Sequence, residues 1–348
     1  MKWFKTLSFL CLLMSFSKTL GLEVFQDQGR IYLQSTECST IQSHLQALRK
    51  WTNQMNPSNI CTFSKVSGED PHFCQYDISD CVPDHVQKYH GKNPYFPDPN
   101  CWNLTLVMNG ILPALRFTNQ EEAAFHVHSP LCHKVGKNER KQVGDIGAIR
   151  SKSALGSQEE VHAFIYISKE LDYSKNGAWR VDPYELMPLR DIMEIYSVPS
   201  DEECEGTLSE NSRCQISLSY FRCVSMQNYL EGSSDFSPDL ISALQGMDDF
   251  EKRLQDRSIN GSSISKKDQE KFVSVIEKIL FSAQNELKKK KIKTDLQVEK
   301  RNFLLGSFYH RISSILDQLA YNKDRDLESQ LSPLQKLLEG VVLQLQEN

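Results

Sequence analysis

Apolar residues recur at helical spacing in several separate stretches of the chain and at strand density in two. Ile41, Leu45, Leu48 and Trp51 share one helical face, and Leu104, Val107, Met108 and Ile111 share another. Beyond residue 237 the period is helical throughout. A shorter segment spans Leu240 to Leu254. Phe272, Ile276, Ile279, Ala283 and Leu287 form one stripe, Leu305, Phe308, Ile312, Ile315 and Leu319 a second, and Leu334, Leu337, Leu338, Val341 and Leu345 a third. Ser237-Pro238 and Ser332-Pro333 are pairs of an N-cap and a first-turn proline. About four amphipathic helices are thereby predicted, enough to bury a bundle core. Strands are predicted at Val143–Ile149 and His162–Ile167, and the polar connection from Arg150 to Val161 suits two adjacent antiparallel strands.

Met1 to Gly21 has the layout of a secretory signal, with Lys2 and Lys5 at the start, an apolar stretch from Leu7 to Phe16 and the small-residue site Thr19-Leu20-Gly21. No other stretch approaches the roughly 18 apolar residues of a membrane span. The expected location is therefore secreted or periplasmic. A net charge of -5 and a pI of 6.0 remove nucleic acid as the obligate partner. The acidity is uneven: residues 22–235 hold 19 Lys+Arg against 28 Asp+Glu, and residues 236–348 hold 18 against 17. All ten cysteines also lie at or before Cys223. This shift predicts a seam near Gly232-Ser233-Ser234. The expected organisation is a leader over 1–21, a disulfide-stapled cap over 22–84, an α+β domain over 85–232 and an all-α bundle over 236–348.

Export changes how the cysteines count. Without Cys11 nine remain, an odd number where thiols pair, so one is expected to stay free. Cys74 and Cys81 enclose a short loop, as do Cys204 and Cys214, which suits local pairing of each. Zinc chemistry lacks its signature, since no CxxC pair occurs. Cys101 has a setting that a disulfide does not require. Breakers run to Pro99, Asp98 and Asn100 are N-cap types, and the apolar helical stripe follows up to Asn109-Gly110. Cys101 is thus predicted in the first turn of a helix, where unpaired N–H groups and the macrodipole favour a thiolate. A histidine that begins the His162–Ile167 strand is the candidate base.

The order of these parts resembles the NlpC-type cell-wall cysteine peptidases of the papain-like fold. The residues that carry the resemblance are Tyr89, Asn100-Cys101, Gly144-Asp145 and His162-Ala163-Phe164-Ile165-Tyr166-Ile167, over about residues 85 to 196. It implies a papain-like α+β core with a nucleophile helix packed on an antiparallel sheet. It further implies Cys101 as nucleophile, His162 as general base and then acid, and Tyr89 as a donor near the oxyanion. The family's third polar residue falls near Ser174, where its usual histidine is missing. Asn176 is a second candidate to orient the imidazole, and Asn176-Gly177 also reads as a hairpin turn. Asn100 stands where the family usually has Asp, and Trp102-Asn103 replaces its frequent Ser-Gly. The implied reaction is amide hydrolysis through a thioester, on peptidoglycan stem peptides or another amide-containing substrate, with no cofactor. The alternatives are an amidase or acyltransferase acting on a protein or lipid, and a non-catalytic secreted binding protein.

Three further features belong to the same reading. His126-Val127-His128 with His133 is either a transition-metal cluster or a polar loop. Lys288, Lys289, Lys290, Lys291 and Lys293 form either a solvated helix end or a contact for an anionic polymer or membrane surface. Asn103-Leu104-Thr105 and Asn260-Gly261-Ser262 match the N-glycosylation acceptor. Neither a Gly-rich phosphate loop nor a GxSxG elbow occurs.

Overall fold

A computed structural model describes residues 21–58, 61–66, 74–92, 99–152, 158–177, 182–199, 215–231, 238–260, 265–288, 295–321 and, near the C-terminus, 331–333, 335–337, 339–340 and 343. The leader, Asp98, Cys204 with Cys214, Ser237 and the run Lys289 to Lys293 lie outside the described residues. The fold is mixed α and β with antiparallel sheets, in two compact units that divide between Gln87 and Lys88.

In the first unit, β1 (Glu23–Asp27), β2 (Arg30–Ser35), β3 (Ser64–Lys65) and β4 (Cys74–Asp77) make an antiparallel sheet in the order β1-β2-β4-β3. Gln28 and Gly29 close the β1–β2 hairpin with φ of 47° and 79°, the left-handed pair that a tight two-residue turn demands. Helix α1 (Cys38–Met55) buries Ile41, His44, Leu45, Leu48, Trp51 and Thr52, the face its spacing predicts. Cys74 and Cys81 do not pair with each other. Cys74 lies opposite Ser35 in the sheet, close to the start of α1, so it bonds Cys38, while Cys81 bonds Cys61.

The second unit holds α2 from Lys88 onward (its full span is Asp84–Tyr89), α3 (Cys101–Met108), α4 (Gln120–Val127) and a six-stranded sheet. Its strands are β5 (Cys132–Lys134), β6 (Ile146–Lys152), β7 (Gln158–Tyr166), β8 (Leu171–Lys175), β9 (Tyr184–Pro188) and β10 (Ile216–Cys223), in the order β5-β10-β6-β7-β8-β9. Strand β6 starts three residues later than the apolar run suggests. Gly144, with φ of 95°, turns the chain, and Asp145 accepts from the Gln142 N–H at 2.7 Å and from Arg222 Nε and Nη2 at 2.9 Å each. The polar connection 150–161 is largely strand: the β6–β7 hairpin runs out to Lys152 opposite Gln158, with Arg150 Nε 3.0 Å from the Glu160 carboxylate. Cys132 and Cys223, register partners in β5 and β10, form the third disulfide. Three disulfides suit an oxidising compartment. Among the described residues no helix is long and apolar enough to cross a membrane.

Helices α5 (Leu189–Ile195), α6 (Met226–Leu230), α7 (Pro238–Asn260), α8 (Lys266–Lys288) and α9 (Asp295–Tyr321) complete this unit. Across the composition shift near residue 232, α7 and α9 fall in the same compact unit as the six-stranded sheet. The reason is a buried charge network. Arg116 forks onto Glu122 of α4 and sets Nε 3.0 Å from Glu251 Oε2 of α7. Arg311 of α9 donates to Glu251 Oε1 at 2.7 Å and to Asp248 at 2.6 Å. Arg116, Glu122 and Glu251 are fully buried and Arg311 nearly so. His126 and Ser307 share a further bond of 3.0 Å, and the Ser314 hydroxyl accepts from the Asn119 N–H at 2.9 Å. Burial alone would raise Glu251, yet the charges of Arg116 and Arg311 hold it below the ordinary carboxylate range.

Two outcomes are expected. Glu251→Ala leaves two buried guanidinium groups short of an anion and should cost about 3–5 kcal/mol in urea unfolding. A fragment from residue 237 onward loses Arg116 and Glu122, so it should give no cooperative thermal melt by circular dichroism. A sharp melt of that fragment would support the two-domain reading.

Candidate active site

Helix α3 begins where the chain changes from breaker to helix. Asn100, in extended conformation, caps it: Oδ1 accepts from the Asn103 N–H at 3.0 Å, and Nδ2 donates to the Thr118 carbonyl at 2.6 Å. Asn103 donates to Thr118 Oγ1 at 3.1 Å and accepts from the Arg116 N–H at 3.0 Å. These bonds consume the Asn103 amide and it is fully buried, so a glycan on Asn103 is incompatible with this fold. The helix is buried on nearly every side rather than along one stripe, with Cys101, Trp102, Leu104, Thr105, Leu106 and Met108 all inside. Asn109 and Gly110, the latter at φ of 66°, end it.

Cys101 is the free cysteine among the described residues and is 5 % exposed. Burial pushes its thiol up. The Ala163 amide, the Lys175 charge and the amides of Trp102 and Cys101 act the other way without overcoming it. The resting thiolate expected from the helix dipole is therefore not the favoured state, because withdrawal from water outweighs the dipole of an eight-residue helix. His162, on β7, is fully buried and neutral for the same reason: desolvation first, then the Lys175 charge, lower its pKa to about 3.

Around His162 runs a chain of hydrogen-bonding side chains. Ser174 Oγ lies 2.9 Å from His162 Nε2 and 3.2 Å from Asn176 Oδ1, while Asn176 Nδ2 donates to Met187 Sδ at 3.0 Å. Ser174 Oγ thus stands between the imidazole and the Asn176 amide, and which of the two receives its proton depends on the tautomer of the ring. Nδ1 has no hydrogen-bond partner. The ring stacks on Tyr196 at 4.0 Å between centroids and 17° between planes. The phenol of Tyr196 is in turn raised, by burial first and then by the Cys101 charge. Sulfur and imidazole thus share Tyr196 and Lys175 as neighbours, and no hydrogen bond joins them in this arrangement.

The other candidates separate. Ser174, not Asn176, contacts the imidazole, and Asn176 acts one bond further out. Asn176-Gly177 opens a longer connection than a two-residue hairpin turn, since Lys175 pairs with Tyr184. Tyr89 packs its ring on Tyr184 at 5.6 Å and faces the buried Tyr173. His126 is buried between the Glu122 carbonyl and Ser307, His128 bonds Arg150, and His133 lies at the surface by Glu139. The three do not converge on one point, and no group of His, Cys, Asp or Glu among the described residues could hold a metal ion. Lys175 and Tyr196 escaped the sequence reading. A lysine on a strand carries no mark of burial, and Tyr196 joins His162 only through the fold. A scan of protein-family models and searches of curated proteins and of solved structures found no match to this chain.

Two measurements check the site. Native Cys101 should react with iodoacetamide at neutral pH at least about 100-fold more slowly than the same thiol in urea, since the thiolate is both disfavoured and covered. His90, His126 and His162 are held neutral, chiefly by burial, at about 4, about 4 and about 3. Each folded value lies below the unfolded value near 6.5, so the unfolded chain takes up protons that the native state refuses. The stability they give is complete above about pH 6.5 and lost as pH falls toward 4, at up to about 4 kcal/mol per pH unit for the three together. Urea unfolding at pH 7, 6 and 5 reads this, and a flat profile would refute the buried neutral state.

Proposed function

We propose that the chain is a papain-like cysteine hydrolase in which Cys101, His162 and Ser174 act in series on an amide bond. The single observation that carries this is the setting of His162: Nε2 lies 2.9 Å from Ser174 Oγ, and the buried Nδ1 has no hydrogen-bond partner, so a proton on Nε2 leaves Nδ1 as the base. A buried nitrogen held with its lone pair unused is costly unless it has a proton to receive. Next along β7, the Ala163 amide faces the Cys101 sulfur.

In the proposed reaction the thiol proton moves to Nδ1 as the sulfur bonds the carbonyl carbon. The amide N–H of Cys101 helps hold the oxyanion, and the proton then passes from Nδ1 to the leaving amine. Water, deprotonated by the same nitrogen, hydrolyses the thioester. Because both groups are neutral at rest, the proton moves only as the sulfur attacks, without a preformed ion pair. Ser174 and Asn176 orient the ring. The resemblance to NlpC-type peptidases supplies the substrate class, stem peptides of peptidoglycan.

A second reading, a non-catalytic secreted binding protein on the same fold, is favoured by the 5 % exposure of Cys101. Digesting purified muropeptides with the wild type and with Cys101→Ala, and resolving the products by mass spectrometry, separates the two. Products lost in Cys101→Ala support the hydrolase, and identical digests support the binding protein.

If the hydrolase reading holds, His162→Ala should lower kcat/KM by about 10²–10⁴-fold. Ser174→Ala should cost about tenfold, the worth of one hydrogen bond near 1.4 kcal/mol, and Asn176→Ala less. The limb of the pH profile set by His162 protonation should lie well below pH 6.5, because only the neutral ring accepts a proton and burial keeps it neutral to about pH 3. An acid limb near 6.5 that disappears in His162→Ala would contradict the buried geometry.

A further inference from the structure

At the other end of β8 from Ser174 lies a buried carboxyl group that no side chain satisfies by a hydrogen bond. Asp172 is fully buried, and neither of its oxygens has a hydrogen-bond partner. Tyr166 stands opposite it in register on β7. The ring of Tyr220, from β10, meets that of Tyr166 at 5.8 Å between centroids and 84° between planes, so the two make perpendicular walls. The Tyr220 hydroxyl also has no hydrogen-bond partner. Over these rings hangs the ammonium of Lys141, an exposed residue of the β5–β6 connection, 3.9 Å from the Tyr220 centroid and 5.7 Å from that of Tyr166.

We propose that Tyr166, Tyr220 and Asp172 form a binding cage for a primary alkylammonium group, and that Lys141 occupies its mouth until such a group displaces it. Two aromatic faces and a carboxyl group, which an ammonium beside it draws toward its charged form, are the chemistry that recognises an alkylammonium. A quaternary ammonium would satisfy the rings alone, whereas the bare carboxyl oxygens call for N–H donors. Lys141 meets the rings but makes no hydrogen bond to Asp172, so it fills half of the site's requirement. An ammonium on a free chain, without the tether of the β5–β6 connection, meets both. Burial pushes the Asp172 carboxyl well above the ordinary range, and the Lys141 charge first and the Ile167 amide second oppose it without overcoming it. The inference stands apart from the hydrolase reading, since it uses neither Cys101 nor His162.

The test is the thermal unfolding midpoint of full-length Lys141→Ala with n-butylammonium as the probe, against equal sodium and equal n-butanol. The cage predicts a rise of about 3 °C at tenfold excess over Kd. It also predicts binding at least about tenfold tighter than to the wild type, whose tethered Lys141 competes. The double variant Lys141→Ala with Asp172→Asn should lose the rise. Should Asp172→Asn fail to fold, Tyr166→Leu in the Lys141→Ala background replaces it. Nα-acetyl-lysinamide and spermidine then compare a peptide-borne ammonium with a free polyamine, and the tighter names the source. A midpoint that moves no more with n-butylammonium than with sodium or n-butanol, or that moves equally without the carboxyl or the Tyr166 ring, overturns the cage.

Discussion

Four charges without water hold the second unit together. Glu122, Arg116, Glu251 and Arg311 alternate in sign along the network, and each is nearly or wholly buried, so each charge is balanced by its neighbour rather than by solvent. Removing a charge from water costs several kcal/mol, and only a closed set of partners returns it. The Arg116 backbone N–H is also bonded to Asn103, in the helix that opens with Cys101. A displacement of α7 or α9 would therefore leave charges unpaired next to α3. The long C-terminal helices are part of what keeps the start of α3 in place.

Much of this fold was legible as local pattern. The face of α1, the N-cap and C-terminal residues of α3, and the antiparallel neighbours β6 and β7 all follow from periodicity and capping chemistry over short spans. What escaped depends on distance along the chain. Arg116 and Glu251 are 135 residues apart and carry no sign that they will meet. The disulfides followed the fold rather than sequence proximity: Cys132 and Cys223 are register partners, and Cys74, opposite Ser35 in the sheet, joins Cys38 at the start of α1. Residues that alternate in charge along a strand are normally solvated, and nothing local distinguishes Lys175 or Asp172 from that rule.

The site combines a legible and an illegible layer in the same way. Cys101 and His162 were found by residue type and element order. The contact of Ser174 with the imidazole required β8 to pair with β7, with Ser174 opposite Phe164. The helix dipole was a sound local reason to expect a thiolate, but it acts over one turn, whereas desolvation comes from every element packed on α3. Burial sets both ionisable groups to their neutral forms, and Lys175, between Ser174 and Asn176, favours the same state of the imidazole while opposing that state of the thiol.

The disulfide between Cys132 and Cys223 closes a covalent ring of chain with a sequence separation of 91. His162, Ser174, Asn176 and Asp172 all lie within that ring, and Cys101 lies outside it on the N-terminal arm. A single backbone cut anywhere between residues 132 and 223 therefore opens the ring without releasing a fragment, so a nicked molecule keeps its mass until it is reduced. The ring also limits how far the unfolded chain can spread, by about 4 to 5 kcal/mol in the loop-entropy estimate. Where proteases act on it, this chain can lose continuity within the ring and still hold Cys101 and His162 on one molecule.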